Sequence, residues 1–208
     1  MRFLLFVEGH TEKAAVRDFI RRWLDKRLSK RVGIDLVNLK GSGHFAKDIA
    51  GKVAYYLGRP DSKETIAAIG LLDLYKGAPF PPELTTVDER YEWGVAYFED
   101  LVGNPRFKMF FAVHETEAWL LSDPSLFPRE IRQWVEKLAS RPETVDFDQP
   151  PAKRLDGFYQ AGLKRKYKKT VHGVNLFAKL DPEFVHEKCP YFSSMLDNML
   201  ALAREAAL

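Results

Sequence analysis

The sequence predicts an α/β protein with a mainly parallel sheet flanked by helices and a helical cap over its C-terminal third. Three observations carry that prediction. Four short apolar runs, FLLFV (3–7), VGIDLVNL (32–39), IAAIGLLDL (66–74) and FKMFFAV (107–113), have the length of strands. Three of them are nearly continuous rather than alternating, which suits strands covered on both faces, as parallel strands are. Between successive runs lie segments with helical periodicity, and strand–helix–strand alternation gives an α/β domain with right-handed crossovers.

The elements follow from local signals. The run 3–7 stops at Glu8. Thr11 is placed to cap a helix with Glu12 in its first turn, on which Val16, Ile20, Trp23 and Leu24 fall on one face and the arginines and lysines on the other. The run 32–39 alternates more than the others and belongs nearer a sheet edge. After the GSG at 41–43 a second helix is expected over 44–57, ended by GRPD. GSG lacks the lysine and hydroxyl of a phosphate loop and reads as a turn. A third helix spans 87–102, and a fourth opens at Glu117 and is cut short at Asp123-Pro124. Beyond Pro124 no further buried strand is evident: 126–143 is helical with proline brackets, 146–156 reads as a loop, a basic segment follows, and the chain ends in a helix over 192–207. The expected division is therefore 1–124 as the α/β core and 125–208 as a mainly helical extension, the two packed as one compact unit.

Composition narrows the functional classes. The 208 residues carry 32 Lys+Arg against 29 Asp+Glu, a formal charge of +3, too mild to argue for a partner. The distribution says more. Seven basic residues lie between Arg17 and Arg31 and seven between Lys153 and Lys169, while six carboxylates lie between Glu83 and Asp100, so a polarised surface is expected. One cysteine, Cys189, excludes an internal disulfide framework. No run approaches the ~18 apolar residues of a membrane span, and the first residues do not read as a signal peptide. A soluble, cytoplasmic protein is expected.

Three strand ends carry carboxylates. Glu8 follows the first run, Asp73 ends the third and Glu115 follows the fourth. In open α/β sheets ligands bind beyond the carboxyl ends of the strands. If these strands are parallel neighbours, the acids meet at one sheet edge, with Glu12 and Glu117 close behind. Adjacent carboxylates repel, and a hard divalent cation relieves that repulsion. Oxygen ligands without cysteine point to Mg²⁺ or Mn²⁺ rather than zinc, and such sites serve phosphate chemistry. Taken singly, each acid reads equally as a helix cap or a solvated side chain. His10, His44 and His114 could act as bases, but no Ser/His/Asp or Cys/His set is visible. HETEA is not the zinc-binding His-Glu-x-x-His helix, because Ala118 takes the second histidine's place.

VEGHTE (7–12) resembles the opening motif of Toprim domains, especially those of the overcoming-lysogenisation-defect nucleases. The whole chain resembles the bacterial DUF4276 family of Toprim-like proteins through VEGHTE, LLDLYKGAP (71–79), HETEAWLLSDP (114–124), PPAKRL (150–155), YKKTVHG (167–173) and KCPYF (188–192). The resemblance implies a Toprim-like, Rossmann-like sheet that holds Mg²⁺ (or Mn²⁺) and acts on nucleic-acid phosphodiesters, most naturally DNA. It implies a partner ATPase and a role in phage defence. The family's acidic positions map onto Glu8, Asp73 and Glu115, with Glu12 and Glu117 as further metal-ligand candidates. Lys153, Arg154, Lys168 and Lys169 would contact phosphate, and Phe158, Tyr159 and Tyr167 either stack bases or belong to the core. Two departures stand out. Tyr75 occupies the second position of the usual Asp-x-Asp pair, and there is no Ser-x-Gly element near the fourth strand. They support a rival expectation, a catalytically inactive Toprim-shaped binding subunit working with an ATPase. Metal at Glu8 and Asp73 would favour the enzyme; an acidic edge closed by a lysine would favour the binding subunit. A third expectation is nucleotide or oligonucleotide binding without cleavage.

Overall fold

A computed structural model describes residues 1–8, 11–39, 42–75, 78–144 and 149–207, and the side chains of 11–13, 42 and 43 fall outside that description. The sheet has four strands, β1 (Arg2–Val7), β2 (Gly33–Asn38), β3 (Thr65–Asp73) and β4 (Phe107–Ala112), in the order β2-β1-β3-β4. All pairs are parallel. The four apolar runs are thus the four strands, and the alternating one, β2, is an edge strand. The central strands are buried on both faces, which is why their sequences are continuous rather than alternating.

The crossover helices are α1 (Thr11–Asp25), α2 (Ser42–Leu57) and α3 (Val87–Val102). Travel from β1 to β2 runs one way across the sheet, and travel from β2 to β3 to β4 runs the other. Crossovers of one hand therefore place α1 on one face and α2 and α3 on the opposite face. The core obeys this. Phe3, Leu5, Ile69 and Leu71 face Val16, Phe19, Ile20 and Trp23 of α1, while Leu4, Phe6, Ala68 and Leu72 face Phe45, Ile49 and Val53 of α2 and Phe98 of α3. Val16, Ile20, Trp23 and Leu24, expected on one helix face, are all buried. α3 begins at a capping box in which Thr86 and Glu89 satisfy each other's backbone N–H groups, and it ends at left-handed Gly103.

The last third is helical, as expected: after the short α4 (Glu117–Leu120) come α5 (Arg129–Glu136), α6 (Pro151–Leu163), α7 (Val174–Lys179), α8 (Pro182–Lys188) and α9 (Pro190–Glu205). These cover the α1 face of the sheet, where Phe19, Trp119, Phe177 and Phe192 pack ring against ring. Arg22 donates to the carbonyls of Phe177 at 2.6 Å and Leu180 at 3.0 Å, and Arg27 makes a two-pronged pair with Glu183 at 2.9 and 2.7 Å. One expectation is corrected. The stretch 151–156, read as loop, is the first turns of α6: a proline at the first helical position lacks only an N–H that has no partner there anyway. Among the described residues no helix is long and apolar enough to cross a membrane.

Candidate functional site

Because α1 packs on one face and α2 and α3 on the other, the carboxyl ends of β1 and β3 form the switch point of the sheet, the position at which open α/β sheets bind ligands. Glu8 stands half-buried at the end of β1 and Asp73 at the end of β3. On the other side of β3, β4 ends at Ala112, in register with Asp73. The pairing runs on past the strands: the Tyr75 N–H donates to the His114 carbonyl at 3.1 Å. His114 is buried and adopts φ 60, a left-handed conformation uncommon for a residue with a Cβ. That turn redirects the chain so that Glu115, Thr116 and Glu117 come back over the end of β3.

The acids are then tied down one by one. The Thr116 N–H donates to Asp73 Oδ1 at 3.2 Å. The Ala152 N–H, in the first turn of α6, donates to Glu115 Oε2 at 3.0 Å, so the positive end of that helix faces the carboxylate. Lys169 Nζ donates to Glu117 Oε2 at 3.0 Å and lies 3.5 Å from Glu115 Oε1. The Glu117 side chain is only 3% exposed. Burial first, and then repulsion from Asp73 and Glu115, raises its pKa to about 7, against the pull of Lys169. On Lys169 burial pushes downward, but the attraction of Glu117, Asp73 and Glu115 together outweighs it, and the ammonium is held protonated.

Asp73, Glu115, Glu117 and Lys169 are therefore brought together, with Glu8 on the adjoining strand end. The Glu12 side chain lies outside the described residues, as do His10 and Gly41. Lys153 and Lys168 are exposed, and Arg154 turns its Nε toward the Gln149 carbonyl at 3.3 Å. Tyr159 and Tyr167 are buried against each other, and Phe158 packs on Trp134. Of the two readings for these aromatics, the core is where they lie. Cys189 is buried, and burial pushes its thiol pKa up.

Two contributions were missed in the sequence, the Thr116 and Ala152 N–H groups. The second left a trace, since the doubled proline of PPAKRL marks a helix start. The donor set is oxygen-only and suits a hard divalent cation. As the side chains stand, with the Lys169 ammonium among them, no group of three His, Cys, Asp or Glu among the described residues is gathered to hold a metal. A cation taking Glu115 and Glu117 as ligands would have to displace that ammonium.

Fold and site define an α/β protein with a lysine-bridged carboxylate cluster at the edge of a parallel sheet. The family described as a domain of unknown function, DUF4276, matches residues 7–200, and the chain belongs to it. No curated protein and no solved structure matches the chain.

Proposed function

We propose that the chain is a Toprim-like, Mg²⁺- or Mn²⁺-dependent nucleic-acid phosphodiesterase of a bacterial defence-type system, acting on DNA beside an ATPase partner. The observation that carries this reading is the convergence of three carboxyl groups and one ammonium beyond the carboxyl ends of β3 and β4. One lysine leaves an excess of negative charge there, which a divalent cation relieves. Asp73 and Glu115, with Glu8 and Glu117, are the residues that would hold it. A cation held there would supply activation of a water and stabilisation of charge on a phosphate oxygen. The protein supplies the rest. The Thr116 and Ala152 N–H groups fix the carboxylates in place. Lys169 carries a positive charge that can turn from Glu117 to an incoming phosphate. The exposed Lys153 and Lys168 extend the cationic surface along the nucleic-acid backbone.

A second reading is favoured by one observation, the closure of the acidic edge by Lys169. It takes the chain as a catalytically inactive binding subunit whose ammonium occupies the cation's place. Cleavage of circular and linear DNA, single- and double-stranded, with Mg²⁺ or Mn²⁺, separates the two. The enzyme reading expects metal-dependent cleavage that is lost in both Glu8→Ala and Asp73→Ala. No cleavage, even with the cognate ATPase present, leaves the binding subunit.

A further inference from the structure

The YKKTVHG segment gives the site Lys169, yet its histidine does not touch the carboxylates. Residues Lys169–Gly173 form a π-helical turn, a geometry that is rare and concentrated at functional sites. His172 lies at the far end of that turn. Its Nδ1 accepts the backbone N–H of Lys168 at 2.8 Å, so the neutral ring carries its proton on Nε2. The Lys168 carbonyl in turn accepts the N–H groups of His172 at 2.7 Å and Val171 at 3.1 Å. Both polar groups of Lys168, the residue just before Lys169, are thereby tied to the end of the turn.

The imidazole is itself held. Its centroid lies 4.9 Å from that of Tyr159 and 5.8 Å from that of Tyr167. The Tyr167 N–H is anchored on Asp156 Oδ1 of α6 at 2.9 Å. Gly173 is needed for this fit, since a Cβ there would stand 2.9 Å from the Tyr167 hydroxyl. Burial, with the nearby charges of Arg165 and Lys168, lowers the His172 pKa and favours the neutral ring that accepts the hydrogen bond. The side chain that accepts this bond therefore orients the backbone from which Lys169 departs.

We propose that His172 is a positioning residue: by accepting the Lys168 N–H at Nδ1 it fixes the π-helical turn and holds the Lys169 ammonium between Glu115 and Glu117. The proposal rests on the reading of that cluster as the functional site. Its test does not depend on cleavage. Reductive methylation with formaldehyde and cyanoborohydride reports how free each lysine is, read by peptide mass spectrometry well below each variant's melting temperature. An ion-paired Lys169 reacts slowly. His172→Phe keeps a ring against the two tyrosines but loses the acceptor. It is expected to raise labelling of Lys169, relative to Lys153, about fivefold, the factor a single hydrogen bond is worth. His172→Asn offers Oδ1 in place of Nδ1 and is expected to stay within about twofold of the native protein. Unchanged protection in the Phe variant, or equal deprotection in both variants, overturns the proposal. Absence of cleavage with the labelling pattern intact sinks the phosphodiesterase reading and leaves the positioning role standing.

Discussion

At Glu143 burial and hydrogen bonding pull in opposite directions. The residue is 3% exposed, and its two oxygens accept the N–H groups of Tyr191 and Phe192 at the start of α9, at 2.9 and 3.2 Å. Burial wins, and the carboxyl pKa rises from 4.5 to about 7. A folded-state pKa above the unfolded one means that the native protein binds the extra proton, so stability falls as pH rises through that interval and levels off above it. The measurement is melting temperature against pH in EDTA: the native protein is expected to lose stability between about pH 4.5 and 7, and Glu143→Gln to show a shallower slope. Glu117 at the sheet edge titrates in the same direction, burial raising it to about 7 as well, but its partner is a charged side chain rather than backbone. Lys169→Met leaves Glu117 with an unsatisfied buried oxygen, and a loss of about 1–3 kcal/mol is expected in chemical denaturation. At this scale the sequence was only partly legible. Asp73, Glu115 and Glu117 were visible as acids behind apolar runs. Among the seven basic residues between Lys153 and Lys169, however, nothing local distinguishes the one that turns inward. That choice is made by the π-helical turn and the ring of His172, contacts that no spacing rule encodes.

At the scale of elements, strands and crossovers were the legible part, because burial on both faces writes itself as continuous apolar sequence. The helical extension was less legible. Its helices α6, α7 and α8 are short or proline-led, and their polar faces resemble a solvated basic loop. The strand contacts also carry a prediction. Gly70 lies in β3 opposite Met109 of β4, and a Cβ added to it would come within 2.6 Å of the Met109 sulfur and 3.0 Å of the Phe107 ring. Both neighbours are buried, so the Met109 side chain and the Phe107 ring would have to shift within the core to admit the methyl group. Gly70→Ala is therefore expected to cost about 1–3 kcal/mol by overpacking. The check is a lower urea midpoint with an unchanged slope.

At the scale of the molecule, the apolar cluster on the α1 face contains residues from β1, α1, β3, α4, α6, α7 and α9 together. The expected division at residue 124 is thus a change in architecture rather than a boundary between independent cores. Removing 125–208 would expose Phe19, Trp23 and Trp119 to water at once. The truncated chain is expected to be protease-sensitive and to show no cooperative melt, whereas the full chain unfolds in one transition. A truncated chain that melts cooperatively would show two separable units instead. One charge block of the sequence finds its use here too: Arg22 and Arg27, expected on the polar face of α1 as part of a polarised surface, bind α7 and α8 to α1.

The same arrangement sets a timetable for synthesis. The apolar stripe of α1 is made within the first 25 residues, but the helices that cover it, α7 and α9, end at Lys179 and Glu205. At ordinary translation rates, α1 therefore waits on the order of ten seconds or more outside the ribosome without the cap's share of its cover, the rings of Phe177 and Phe192 against Phe19. A sheet with only parallel neighbours offers no early hairpin to shelter that stripe. The nascent chain, more than the finished protein, is where this fold presents apolar surface to aggregation.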